Sequence, residues 1–418
     1  MRECPRCEVC YEDDVLICPQ DTANTKYTLP GATLLSQRYL LEKRLGRGAM
    51  GQVYLARDQN LVTRRVAVKT VRPDILSDED LQEGEAIARF EREARAAASI
   101  RHPNVVDVTD FGKSPEGVFF LVMEYVEGET LYQLLRREGT LNIQRTAALL
   151  RQIVAGIEAA HDVGILHRDL KPANIFIMQQ RRKSASADDG FVKVGDFGLA
   201  KIVHSDRSET QSGPESRGII GTPEYMAPEQ IQEGVRLDAR ADIYALGTIA
   251  YHMLGGRSPF TGNITQLIAQ KLLHAPPALT TLRSDISTEV ERAVMHALAK
   301  EPADRPATAS DWLEEFESAI RAPSDDSGPG ESRVVIMAPA GSEVYVDDER
   351  RGSVGRSGRV LLTSIAPGQH VLRVARLGEE DDERVIEIRP DSAEQIIQAQ
   401  FTRAPSSEQL SPSKGGSL

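Results

Sequence analysis

Five short runs stand in one order along this 418-residue chain, and they restrict what it can fold into more than any bulk property does. Gly46-Arg47-Gly48-Ala49-Met50-Gly51-Gln52-Val53 comes first, and Val66-Ala67-Val68-Lys69 follows. His167-Arg168-Asp169-Leu170-Lys171-Pro172-Ala173-Asn174, Asp196-Phe197-Gly198 and Ala227-Pro228-Glu229 complete the series. Residues 39–45 read as a strand, and residues 52–56 as the strand that returns from a hairpin. Between them, Gly46, Gly48 and Gly51 let the backbone approach a bulky anion such as a triphosphate, which a Cβ would obstruct. Taken alone, such glycines mark a plain turn. The strand-loop-strand setting, with Lys69 downstream, shifts the reading to a phosphate cradle. Lys69 itself closes an apolar strand, where a cation needs a partner.

The length suggests roughly two or three domains. An apolar fraction of 40% suffices for a packed core, and a net charge of −12 argues against nucleic acid or an anionic membrane surface as the main partner. No basic start precedes an apolar stretch, so no secretory signal is expected. The longest apolar-rich run, residues 245–254, falls short of the roughly 20 residues that a membrane-spanning helix needs. No transmembrane segment and a cytoplasmic location are therefore expected. All four cysteines lie at positions 4 to 18, leaving none elsewhere to pair with. Composition divides the chain into a cysteine-bearing segment (1–21), a polar tether (22–37) and a region of mixed strand-like and helix-like patterns that carries the five runs (38–320). A Pro/Ser/Asp/Gly linker (321–331), a region of short apolar runs broken by glycines (332–402) and a tail with the composition of disorder (403–418) follow.

In combination the five runs resemble the eukaryotic-type protein kinase family, in its bacterial Ser/Thr branch. The resemblance implies an α+β, two-lobed protein kinase fold followed by a small all-β domain, with an N-lobe over 38–123, a hinge over 124–126 and a C-lobe over 127–320. It implies an enzyme that uses ATP and Mg2+ to phosphorylate Ser/Thr hydroxyls of protein substrates. Leu45, Gly46, Arg47, Gly48, Ala49, Met50, Gly51, Gln52 and Val53 would cover the ATP. Val53 and Ala67 would face Phe176 across the adenine, with Met123, Glu124 and Val126 bordering it at the hinge. Lys69 would hold the α- and β-phosphates and pair with a glutamate on the next helix. Glu93 matches that position best, because the apolar residues at 90, 94, 97 and 98 put it near the buried face; Glu91 is the alternative.

The same resemblance makes Asp169 the group that orients the substrate hydroxyl and takes its proton late, with Lys171 on the γ-phosphate. Asn174 and Asp196 would supply the oxygen ligands that Mg2+ requires. His167 is implied to pack under Phe197, Asp242 to brace the catalytic loop, and Glu229 to pair with Arg305. Gly195 departs from the family, which more often has a bulkier residue there. Arg168 is implied to bind a phosphate on the segment 196–229, with Ser216 the first choice by spacing and Thr210 and Ser212 next; Thr222 would shape the substrate pocket. The rival reading is a pseudokinase, a nucleotide-binding scaffold without transfer, but such proteins typically lose the lysine or an aspartate, and here both are present.

Cys4-x-x-Cys7-x-x-Cys10 and Cys18-Pro19-Gln20-Asp21 resemble zinc-ribbon segments that precede some bacterial kinases. Zinc takes four N, S or O ligands in a tetrahedron. Cys4, Cys7 and Cys18 are three candidates for Zn2+, with Cys10 or Asp21 as the fourth; reduced thiols or a redox switch are the alternative. Residues 332–402 resemble the all-β PEGA domain, carried by Tyr345-Val346-Asp347-Asp348 and Pro367-Gly368-Gln369-His370, with Ala340 and Ser342 altering the signature tetrapeptide. Such a module implies either a protein partner or a passive appendage.

Overall fold

Side chains alternate along a strand, so consecutive apolar residues in one strand must serve two separate faces. Val66-Ala67-Val68 and the run from Val118 to Met123 are of this kind. The computed structural model describes residues 1–48, 51–61, 64–71, 83–178, 190–197, 223–232, 234–321, 332–355, 357–365, 368–388 and 395–401. They fall into two compact units, Met1–Pro323 and Ser324–Leu418.

The first unit begins with three two-residue strands, β1 (Arg2–Glu3), β2 (Cys10–Tyr11) and β3 (Lys26–Tyr27), in the order β2-β1-β3. A six-stranded sheet follows: β4 (Leu34–Leu35), β5 (Tyr39–Gly48), β6 (Gly51–Asp58), β7 (Arg65–Val71), β8 (Val108–Lys113) and β9 (Phe119–Glu124), in the order β4-β5-β6-β7-β9-β8. Its neighbours are antiparallel throughout. On one face Ala67, Val71, Phe119, Leu121 and Met123 pack with Phe90, Ala94 and Ala97 of the helix Glu83–Ser99. On the other, Val66, Val68, Phe120 and Val122 pack with Tyr39, Leu41, Tyr54 and Ala56, and Met1, Cys10 and Leu35 join that cluster. The N-terminal residues thus cover the outer face of the sheet.

Residues 22–37 differ from the polar tether expected of them. They carry β3, paired with β1, and β4, paired with the start of β5. Backbone ladders hold this stretch, and composition reports side chains rather than ladders.

The helical region grows from capped starts. Thr130 and Gln133 form a capping box at Leu131–Glu138, and Asn142 accepts from the Arg145 N–H at Ile143–His161. Ile143–His161 and Arg240–Gly255 lie at the heart of the large core, with Leu150, Ile153, Ile157, Ile243, Leu246 and Ile249 all fully buried. Trp312 of Ala309–Arg321 is fully buried and donates its indole N–H to the Ala293 carbonyl at 2.9 Å. A short sheet of β10 (Glu129–Thr130), β11 (Ile175–Met178) and β12 (Phe191–Val194) carries the loops that hold the polar site residues. Among the described residues no helix is long and apolar enough to cross a membrane.

The second unit holds β13 (Ser332–Met337), β14 (Glu343–Val346), β15 (Glu349–Ser353), β16 (Arg359–Ile365), β17 (Gly368–Ala375), β18 (Asp382–Ile388) and β19 (Gln395–Gln398). They form one sheet in the order β16-β13-β19 and another in the order β15-β14-β17-β18. Val334, Ile336, Val344, Val346, Leu372, Val374 and Ile386 share one core between them. Asp347 and Asp348 both have positive φ in the turn after β14, and Asp347 accepts from the Val371 N–H at 2.9 Å.

Candidate active site

The cleft is assembled by strand ends and loop backbone rather than by a single element. Gly51 is required by the fold itself, because an added Cβ would meet the Thr70 carbonyl oxygen at 1.8 Å. At Gly46 and Gly48 no atom of the described residues, chain neighbours aside, lies within 4 Å of such a Cβ. Those two glycines serve no internal contact, which leaves room for a ligand against the backbone. Leu45 is 42% exposed, and Arg47 and Gln52 pair across the hairpin. Ala49 and Met50 lie outside the described residues.

Beneath this hairpin, Val53, Ala67, Met123, Val126 and Phe176 share one apolar cluster. A flat aromatic ring fits such a surface. Gly195 has its explanation here, since a Cβ there would meet the Phe176 ring at 3.0 Å and Val106 at 3.2 Å. Phe176 fills the space that a bulkier residue at 195 would need. Glu124, the last residue of β9, is fixed by two bonds to one carboxylate oxygen, from Lys193 at 2.6 Å and from the Asp107 N–H at 2.8 Å.

The charged residues form a linked series. Lys69 is buried on β7, and its Nζ lies 3.0 Å from Asp196 Oδ2. Burial works to raise the Asp196 carboxyl, but the Lys69 ammonium, with His167 and Lys171 behind it, holds it below the usual carboxylate range. Asn174 donates from Nδ2 to the Asp169 carbonyl at 2.9 Å, and its own carbonyl accepts from the Gly195 N–H at 2.8 Å. Asp169 Oδ2 meets Lys171 Nζ at 2.7 Å. Glu93 is buried beside Phe90 and Ala94, whereas Glu91 is half-exposed and pairs with Arg95 one turn on at 3.0 Å.

Backbone positions around this series are held by buried groups. Asp242 is buried and accepts from the His167 N–H at 2.8 Å and the Arg168 N–H at 2.9 Å, with His161 Nε2 at 2.8 Å. His167 stands 4.6 Å from the Phe197 ring and bonds the Gly195 carbonyl through Nε2 at 2.9 Å. Arg168 and Asp196 both take positive φ, +65° and +66°, a conformation that costs a side-chain-bearing residue about 1–3 kcal/mol. The surrounding bonds over-determine it. Glu229 meets Arg305 in two buried bonds of 2.6 and 2.8 Å. The Arg305 donors left over go to the carbonyls of Ala299, Arg240 and Lys300.

Two supporting groups were not singled out by the sequence reading. Gln230 donates to the Arg168 carbonyl at 2.7 Å, and its place directly after Ala227-Pro228-Glu229 was the only hint. Lys271 is fully buried and donates to the carbonyls of Glu224 and Met226 at 2.8 Å each, and burial lowers its amine to about 7. Gly198, Thr210, Ser212, Ser216 and Thr222 lie outside the described residues.

A second constellation lies in the N-terminal segment. One ligand atom each from Cys4, Cys7, Cys18 and Asp21 lie within 4.8 Å of one another. Two tight turns face each other there. The Cys4 carbonyl accepts from the Glu8 N–H at 3.0 Å, and the Cys18 carbonyl from the Thr22 N–H at 2.9 Å. Glu8 and Thr22 both have positive φ. The Asp21 carboxyl is held low, at about 2, chiefly by the Cys4 thiol beside it. Cys10 is not in this group. It packs with Leu35, Tyr39 and Tyr54, and burial pushes its thiol up to about 12.

The protein kinase domain family matches residues 39–316. The chain is 41% identical over 290 residues to serine/threonine-protein kinase pkn3 of Myxococcus xanthus, which covers 68% of this chain and 50% of that one. It is 39% identical over 282 residues to serine/threonine-protein kinase PknB of Mycobacterium tuberculosis, covering 66% of this chain and 42% of that one. Among solved structures it is similar to Rad53 1-466 in complex with AMP-PNP, with a TM-score of 0.53, 25% identity, and coverage of 67% of this chain and 65% of that one. The chain spans about half the length of the curated relatives it matches.

Proposed function

The chain belongs to the protein kinase family, matched over residues 39–316, and from that premise we propose a bacterial-type Ser/Thr kinase that transfers the γ-phosphate of ATP to hydroxyls of protein substrates. The observation that carries this reading is the continuous series Lys69–Asp196, Gly195–Asn174, Asn174–Asp169 and Asp169–Lys171, in which every charged position of the transfer chemistry is occupied. The substrate hydroxyl oxygen attacks the γ-phosphorus as the bond to the ADP oxygen breaks. Asp169 orients the hydroxyl and receives its proton late, and Lys171 and Lys69 balance charge on the phosphates. Asn174 and Asp196 offer the hard oxygen donors that Mg2+ takes, and such an ion would neutralise phosphate charge there. Val53, Ala67 and Phe176 hold the base by apolar contact. The test is label transfer from γ-labelled ATP to a generic basic protein by the full chain with Mg2+. Label on the wild type and none with Asp169→Asn supports the reading; nucleotide binding without transfer by the wild type makes it a pseudokinase.

The cysteine cluster is assigned to zinc with Cys4, Cys7, Cys18 and Asp21 as ligands. Three thiols and a carboxylate with ligand atoms this close suit a tetrahedral ion. The β-rich unit is read as a PEGA-like module over 332–402 that binds a protein partner, with the kinase domain over 38–320 and a linker over 321–331. Autophosphorylation among Thr210, Ser212 and Ser216 would add a charge of about −1.5 to −2, for which Arg168 is the proposed partner. Mass spectrometry that finds residues 205–216 unmodified in active enzyme ends that part. The location follows as cytoplasmic, where thiols stay reduced and ATP is at hand.

A further inference from the structure

The cysteine cluster is not an appendage hung from the fold; its Cys4–Cys7 arm is bonded to the strand that leads into the glycine-rich hairpin. Cys7 is followed by Glu8, whose carbonyl accepts from the Arg44 N–H at 2.9 Å. Val9 bridges Lys43. The Arg44 side chain then meets Glu3 at 2.5 Å and Glu8 at 3.2 Å. Glu3 is buried, and among the described residues its other carboxylate oxygen has no hydrogen-bond partner, so Arg44, with Arg47 further off, compensates that charge. Arg44 is followed directly by Leu45 and Gly46. From a ligand at Cys7 to the first glycine of the phosphate cradle, the path is one peptide unit, one backbone hydrogen bond and two residues of β5.

The remaining contacts make this a clamp and not a tether. Cys10 and Met1 lie in the outer-face core with Leu35, Tyr39, Leu41 and Tyr54. The Cys4 N–H donates to the Val9 carbonyl at 3.0 Å, closing the turn between the two strands that hold it. The flanks of the two turns are already linked by the β1–β3 ladder and by Arg2 to Thr25, and a bound ion would tie the ligand-bearing tips to each other as well. Without it, Cys7 loses its link to the Cys18–Asp21 turn, and Glu8 keeps only its turn to Cys4 and its bonds to Arg44, so the strap gains freedom.

We propose that the N-terminal segment is a metal-responsive clamp on the glycine-rich hairpin, with Arg44 as the positioning residue that links occupancy of the Cys4, Cys7, Cys18 and Asp21 site to nucleotide affinity. The inference rests on the zinc reading above and gives that site its regulatory role. Two turns joined by an ion restrict the hairpin before nucleotide arrives, so less ordering remains to be done on binding. By linkage the effect is reciprocal: bound nucleotide tightens the metal by the same factor.

The test uses the full chain and four readouts: zinc content by elemental analysis, the dissociation constant of a fluorescent ATP analogue, hydrogen exchange in residues 39–58, and steady-state KM and kcat. Stripping zinc with a chelator raises the nucleotide dissociation constant about 5- to 10-fold and speeds exchange in the hairpin, and adding zinc back reverses both. Arg44→Gln keeps its zinc but shows the weakened binding from the outset, and no longer responds to the chelator. Arg44→Lys, which keeps the charge, restores part of the response. In steady state Arg44→Gln raises KM for ATP and leaves kcat near wild type, which a general loss of fold would not do. If fresh protein holds no zinc, the zinc reading and the clamp both fall. If zinc is present and nucleotide binding is indifferent to its removal, the clamp alone is overturned.

Discussion

The two faces of the sheet β4 to β9 are cut from the same strands, yet they do different work. The inner face sets Ala67, Leu121 and Met123 against the helix Glu83–Ser99 and carries Lys69 into the cleft. The outer face sets Val66, Val68, Phe120 and Val122 under residues contributed by the N-terminal segment. Alternation along β7 and β9 sorts these residues with no further instruction. One face is therefore constrained by the chemistry beside it, the other only by what covers it. Substitutions on the first should change rate, and on the second stability.

The largest effect expected is on the chemical step. Lys69→Met and Asp169→Asn should each lower kcat at least about 10²–10³-fold while the unfolding temperature and the zinc content stay near wild type. Transfer close to wild type from the double variant would remove the distinction between the faces altogether. Next in size is a cavity on the outer face. Leu41→Ala, at a site with 2% of its surface exposed, should cost about 2–5 kcal/mol in a denaturant titration with kcat little changed. A rate loss as large as that of Lys69→Met in protein that is still folded would show that the outer face shapes the cleft directly.

The smallest effect concerns pH. Cys10 has its thiol raised by burial from 9.0 to about 12. In the window between those values the unfolded chain releases the proton and the folded chain keeps it, so stability falls as pH rises. Cys10→Ala lacks that decline. The stability of the wild type relative to Cys10→Ala should therefore decrease from pH 9 towards 12, and alkylation of Cys10 in native protein should be far slower than for an ordinary thiol. Equal slopes for the two proteins would place Cys10 outside the core. Arg44 stands where the two faces communicate, since it is strapped to the N-terminal segment and leads into the glycines.

The residues that the structure gathers in the cleft could be picked out of the sequence because, on the proposed reading, transfer chemistry limits which groups can stand at each point. A carboxylate that takes a proton late, oxygen donors for Mg2+ and a buried cation cannot be exchanged for others of similar shape, so they leave fixed letters in the sequence. Glu93 was separable from Glu91 by helical spacing, and the structure has the first buried and the second half-exposed. The expected pairing of Glu229 with Arg305 and the bracing of the catalytic loop by Asp242 are both present. Lys271 had no such mark, because its partners are the backbone carbonyls of Glu224 and Met226, and any residue presents a carbonyl. The strands in residues 22–37 escaped for the same reason.

By itself, then, the sequence determined the family, the order of the chemical groups and the apolar alternation of each strand, since all three are written in residue type and spacing. The tertiary structure alone decided that Asp21 and not Cys10 completes the cysteine cluster. It also decided that Phe176 makes Gly195 necessary, and that the N-terminal segment closes the outer face of the sheet. Each of these is a matter of which groups from distant parts of the chain compete for one volume. Spacing along a chain says nothing of that until the chain is packed.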